Sequence, residues 1–215
     1  MISQGILFNT LHSYKDLGLV LVDVNIPPAV PKTAYIDIPG RDEPLDITEE
    51  LGEVRYNSRD CKFSFAVHSS AEKSFEEKKS EISDKLNGKM CKITLDADSE
   101  FYYYGRVSVD SYTQKGNLKR IVISAKVHPY KLLQKHTVVR AEIQTEGIIN
   151  CLNLRKSVVP TITADADFTL KFSNISRSIS AGENIVPDIK FVQGENIVTC
   201  IGTGNITFTY QEGSL

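Results

Sequence analysis

The feature that most constrains this chain is a period of two in its apolar residues. Cys61, Phe63, Phe65 and Val67 alternate with Lys62, Ser64, Ala66 and His68, and Ile121, Ile123, Ala125 and Val127 alternate with Arg120, Val122, Ser124 and Lys126. Successive side chains of an extended strand point to opposite faces, so this spacing sends one set into a core and leaves the other outside. Strands are predicted on the same grounds over 90–95, 101–112 and 118–127. The last two are joined by Gln114-Lys115-Gly116-Asn117, whose Gly and Asn suit a hairpin turn.

One stretch departs from the pattern. Over Ala71–Leu86, Phe75, Ile82 and Leu86 fall on one helical face and Glu76, Glu77, Lys78, Lys79 and Glu81 fill the rest. Ser69 with Glu72 has capping-box spacing at its start, and Gly88 supplies a left-handed stop. A lone helix with a narrow apolar stripe cannot form a core, so it has to lie on a sheet. The expected class is mainly β, beginning with an antiparallel sandwich covered by one helix over about 71–86.

At 215 residues the chain is long enough for two domains. His128-Pro129-Tyr130-Lys131 interrupts the ladder with a proline that cannot donate a strand hydrogen bond, and the expected division is 1–133 and 134–215. Beyond it the turn signals crowd together: Asp165-Ala166-Asp167, Ser173-Asn174, Ala181-Gly182-Glu183-Asn184, Gln193-Gly194-Glu195-Asn196 and Gly202-Thr203-Gly204-Asn205. Short strands between close turns predict a second antiparallel sandwich or jelly roll.

With 41% hydrophobic and 24% charged residues the chain can fold around a core, and a net charge of -2 with pI ≈ 6.1 argues against a protein that grips nucleic acid. Protein is the expected partner. Met1–Phe8 has no basic-then-apolar leader, and no apolar run approaches membrane-spanning length, so a soluble protein without an export signal and without a membrane partner is expected. Cys61, Cys91, Cys151 and Cys200 lack C-x-x-C spacing and lie in strand-like contexts, which reads as buried free thiols made in a reducing cytoplasm.

Asp16-Leu17-Gly18-Leu19, Ile38-Pro39-Gly40-Arg41-Asp42 with Leu45-Asp46, and Arg59 ahead of Phe63 and Phe65 resemble the first half of siphophage distal tail proteins. Leu86-Asn87-Gly88-Lys89, Tyr104-Gly105-Arg106 and Pro129-Tyr130-Lys131 follow in that family's order. Asn153-Leu154, Pro160, Gly182-Glu183-Asn184 and Gly194-Glu195-Asn196 resemble its second, galectin-like sandwich. Glu43 stands where the family commonly has glycine.

The resemblance implies a structural subunit of a phage or prophage tail tip and no enzyme. The first domain would build a six-fold ring with copies of itself, joining the tail tube protein to a tail-associated fibre or lysin protein, with DNA passing through as cargo. It makes Pro39, Gly40, Arg41, Asp42, Arg59 and Arg106 candidates for the assembly interface, and places the protein in the virion tail tip.

Other chemistry finds little footing. His12, His68, His128 and His136 have no metal-ligand spacing, and Asp96/Asp98 and Asp165/Asp167 read as turn residues before calcium ligands. No Walker loop or nucleophile elbow is present; no catalytic residue, metal or cofactor is expected. Tyr102-Tyr103-Tyr104 must split between core and surface. Phe168, Phe172, Phe191, Phe208 and Tyr210 read as core, the alternative being a carbohydrate platform on a cell-wall adhesin. The acidic run from Asp42 to Glu53 and the bases Lys115, Lys119, Arg120, Lys126, Lys131 and Lys135 form surfaces of opposite sign, suited to setting the register of adjacent copies. A ring lumen crossed by DNA should also be lined by acidic or neutral residues, with the acidic 42–53 segment as candidate.

Overall fold

The computed structural model describes residues 5–50, 52–67, 74–116 and 118–215. The chain divides into two compact units between Pro129 and Tyr130. The first contains β1 (Ile6–Phe8), β2 (Leu11–His12), β3 (Leu19–Asn25), β4 (Tyr35–Ile36), β5 (Leu45–Asp46), β6 (Arg59–Val67), α1 (Phe75–Leu86), β7 (Met90–Leu95), β8 (Phe101–Lys115) and β9 (Leu118–Val127). Seven of these strands form one antiparallel sheet in the order β2-β1-β7-β8-β9-β6-β3.

That sheet is folded over on itself. Strands β1 and β6 lie four places apart, which in a flat sheet would separate them by roughly 19 Å at about 4.8 Å per strand. Yet the rings of Phe8 on β1 and Phe63 on β6 meet edge to face with centroids 6.2 Å apart. The long strand β8 makes the corner: residues 103–106 pair with β7 and residues 105–115 pair with β9, with a bulge between Val109 and Ser111. A strand that changes layer through a bend or bulge is how a single sheet makes both walls of a sandwich. Gly105 sits at this turn, where a Cβ would run into the backbone of Lys126 and Val127.

The alternating residues read from the sequence fill the space between the walls. Cys61, Phe63, Phe65, Ile121, Ile123, Ala125 and Val127 are all buried, together with Ile6, Leu19, Cys91, Ile93 and Val107. Helix α1 closes this core with Phe75, Ile82 and Leu86. It is held to β8 by the Tyr112 hydroxyl, which donates to the Lys79 carbonyl and lies 2.7 Å from the Ser83 hydroxyl.

The helix begins at Phe75, later than the sequence places it. The cap is Ser74, whose hydroxyl accepts from the Glu77 amide at 3.2 Å while the Glu77 carboxylate accepts from the Ser74 amide at 2.8 Å. Ser74 has extended geometry (φ −64°, ψ 160°), so no helical turn passes through it. The alternative box at Ser69 and Glu72, and His68, lie outside the described residues. At the other end Gly88 has φ +75° and provides the expected stop.

The second unit contains β10 (Lys131–Leu133), β11 (Thr137–Ile143), β12 (Glu146–Asn153), β13 (Thr161–Ala164), β14 (Phe168–Phe172), β15 (Ile175–Ile179), β16 (Gly182–Ile185), β17 (Gly194–Gly202), β18 (Gly204–Tyr210) and β19 (Gly213–Ser214). Two four-stranded antiparallel sheets, β11-β18-β13-β16 and β12-β17-β14-β15, enclose a core of Phe168, Leu170, Phe191, Val198, Ile206, Phe208 and Tyr210. Lys131–Leu133 belongs to this unit because it pairs with β19, which moves the division a few residues ahead of the expected one. The Glu212 carboxylate ties the same corner, accepting from the Leu154 amide at 2.8 Å and from the Thr137 hydroxyl.

Candidate assembly surfaces

Between β3 and β6 the chain leaves the sandwich. From Pro27 to Ser58 no described residue is buried. The segment still has order, as a two-stranded ribbon. The Asn57 amide donates to Val30, Lys32 to Arg55 and Ile47 to Ala34, and β4 pairs with β5 through Tyr35 with Asp46 and Ile36 with Leu45.

Pro39, Gly40, Arg41 and Asp42 form its tip, all exposed, where the Arg41 amide donates to Ile38 and Gly40 takes φ +85°. Glu43 adopts no positive φ, so the loop passes this position without the left-handed step that favours glycine. Tyr35, Ile36 and Leu45 expose 56%, 48% and 43% of their surface on the ribbon. A two-stranded ribbon is marginal alone in water, and apolar side chains held open on one call for a partner surface.

A second surface lies on the outer face of the folded sheet. Across β7, β8, β9 and β6, Met90, Arg106, Lys126 and Asp60 occupy one row, and Ser108, Ser124 and Lys62 the next. They line an open groove of about 660 Å³ together with Tyr104 and His128, whose rings stack at 5° with centroids 6.0 Å apart. Arg106 and Lys126 stand directly opposite each other. Arg106 donates to the Gly88 carbonyl at 2.6 Å, and among the described residues neither base forms an ion pair with a carboxylate. Lys62, by contrast, pairs with Asp110 at 3.6 Å.

Arg59 does not share either surface. It is 6% exposed, donates to the Pro129 carbonyl and holds its guanidinium 5.7 Å from the centre of the Tyr103 ring, so it joins β6 to the end of the first unit. Tyr103 is buried, while Tyr104 faces the groove.

The other polar groups picked out in the sequence fix local turns. His12 accepts the Tyr14 and Lys15 amides at Nδ1 (3.1 and 3.2 Å), which leaves Nε2 as the donor to Asp96 at 3.1 Å. Asp96 also accepts from the Gly5 amide, and its carboxyl titrates below the ordinary value through its bonds to His12 and Gly5, outweighing a burial effect of opposite sign. Asp165 accepts the amide and side chain of Asn205 at 2.6 and 2.8 Å, and Asp167 accepts the Ala181 amide at 3.0 Å. Among the described residues no group of three or more His, Cys, Asp or Glu converges, and no helix is long and apolar enough to cross a membrane. All four cysteines are free and buried.

The ribbon as a unit was not read from the sequence, although a signal was there. Five of the eight prolines, Pro27, Pro28, Pro31, Pro39 and Pro44, fall between residues 27 and 44, where they disfavour membership of an internal strand. The pairing of Arg106 with Lys126 had no signal, since their adjacency depends on the register of β8 against β9.

No family model and no curated protein matches this sequence. Among solved structures the chain is similar to the Dit protein (gp 19.1) of phage SPP1, described as a paradigm of the hub adsorption apparatus in phages infecting Gram-positive bacteria. The two share 11% identity and superpose with a TM-score of 0.68 over 97% of this chain and 98% of that one. At that identity the likeness establishes a common fold, which runs through both units.

Proposed function

We propose, from a fold shared end to end with a phage hub protein, that this chain is a structural subunit of a phage or prophage tail tip. Copies assemble through the first unit into a hexameric ring that joins the tail tube protein to a fibre or lysin protein and lets DNA pass. The observation that carries this reading is the coverage of 97% and 98% in the superposition, because a single common sandwich would align over only half of each chain. The exposed ribbon supports it: a subunit whose paired strands lie outside its own core has a surface shaped for another chain. The role is structural, with contact surfaces in place of reacting groups.

The second unit supports attachment to another tail component. Ile148, Leu152 and Ile197 expose 74%, 60% and 54% on the outer face of β12 and β17, positions that alternation alone would assign to polar residues. The carbohydrate reading has less support, since Phe168, Phe191, Phe208 and Tyr210 are all in the core and so do not offer a stacking platform.

Negative-stain microscopy of the purified full-length protein at high concentration tests the proposal. Closed rings with six-fold averages are the expected result. Particles of single-subunit size at every concentration, together with no density for this protein at the tail tip of immunolabelled virions, would refute it.

A further inference from the structure

We infer that the acidic 37–50 stretch of the ribbon of one copy docks on the Arg106–Lys126 row of a second copy. This rests on the ring reading for its setting and on charge for its partner. Between residues 37 and 50 the ribbon carries Asp37, Asp42, Glu43, Asp46, Glu49 and Glu50 against one base, Arg41, and all seven are exposed. The outer groove carries Lys62, Arg106 and Lys126 against Asp60 and Asp110, and one of those acids is already engaged with Lys62.

Arg106 and Lys126 are the informative pair. Like charges directly opposite on neighbouring strands repel, and although Asp60 stands opposite Lys126 on its other side, neither base forms an ion pair among the described residues. A carboxylate from outside relieves that repulsion and answers both bases at once. The ribbon also supplies apolar complement, because Tyr35, Ile36 and Leu45 are exposed on it while Met90 and Tyr104 are exposed beside the bases.

Of the 27–58 segment Ser58, at its base, lines the groove in its own copy, while Pro39 to Glu50 do not, so the groove is open to another copy's ribbon. Ribbon and groove are different surfaces of one unit. A contact between them is therefore heterologous, which is the kind that closes into a ring when the rotation fits.

Two readouts on the full-length chain separate this contact from the ring. Glu43→Cys protein is mixed with Lys126→Cys protein and treated with a short bismaleimide linker, the native cysteines being buried; microscopy is run on the same samples. A cross-linked dimer is expected for this mixture, with none when Lys126→Cys is replaced by Lys171→Cys on the second unit. Rings without the cross-link overturn the docking and leave the ring reading standing. The cross-link without rings does the reverse, and the absence of both overturns each.

Charge exchange gives the second test. Asp42→Lys/Asp46→Lys added to the Glu43→Cys protein, and Arg106→Glu added to the Lys126→Cys protein, should each cross-link at least tenfold less to the other cysteine protein with its charges unchanged. The yield should return when the two reversed surfaces face each other. Recovery that fails while both variants keep the wild-type melting temperature would also overturn the docking.

Discussion

Cys151 and Cys200 lie on neighbouring strands of the second core, and with Cys61 in the first they show how burial alone sets a side chain's chemistry. Desolvation pushes Cys61 and Cys151 up to about 11 and Cys200 to about 12, from an ordinary thiol value of 9.0. A folded-state value above the unfolded one means that these thiols add stability fully below pH 9 and lose it as pH rises through about 11 to 12. Urea unfolding should therefore give a plateau up to about pH 9 and a decline above it. Cys200→Ala should lower the plateau through the cavity it leaves, by roughly 1–3 kcal/mol, and flatten the decline; equal slopes for variant and wild type would contradict the assignment. The same four positions were legible as buried thiols from their apolar, strand-like neighbours. Arg59 was not legible in this way, because its buried site depends on Pro129 and Tyr103, which arrive from elsewhere in the chain.

Among the elements, β8 decides the architecture of the first unit. Its alternation extends far enough to predict a strand, but not that one end pairs with β7 and the other with β9 across a corner. Gly105 permits that corner, since any Cβ there would collide with backbone and not with the yielding end of a side chain. Gly105→Ala should cost more than about 2 kcal/mol, measured by thermal or urea unfolding, because overpacking against backbone cannot relax by a rotamer change. A loss within about 0.5 kcal/mol, the usual range for surface substitutions, would show that the corner lies elsewhere. The start of the helix shows a second capping box of the same spacing. Ser74 with Glu77 has the same capping spacing as Ser69 with Glu72, and it caps the helix that begins with the buried Phe75.

For the whole molecule the two sandwiches account for stability, and the ribbon carries the expectation of assembly. Among its described residues none is buried, and its backbone bonds run between its own two strands, so a protease should reach it in a free subunit. A glutamate-specific protease is expected to cut after Glu49 and Glu50 when the protein is dilute and to cut there markedly more slowly once copies have assembled. Mass spectrometry of the fragments checks this. Cleavage at equal rates in both states would mean that the ribbon stays uncovered, against the docking inferred above.

The sequence by itself determined which residues face inward, where the helix ends, that the chain is mainly β and that it interrupts itself near Pro129. Each of these follows from spacing along the chain, because strand and helix periods are properties of the local backbone. Tertiary structure alone decided that one sheet folds over to form both walls of the first sandwich, that residues 27–58 stand outside it, and that Arg106 faces Lys126. Those facts are set by strand order and register, which join residues distant in sequence through hydrogen bonds that no local pattern encodes.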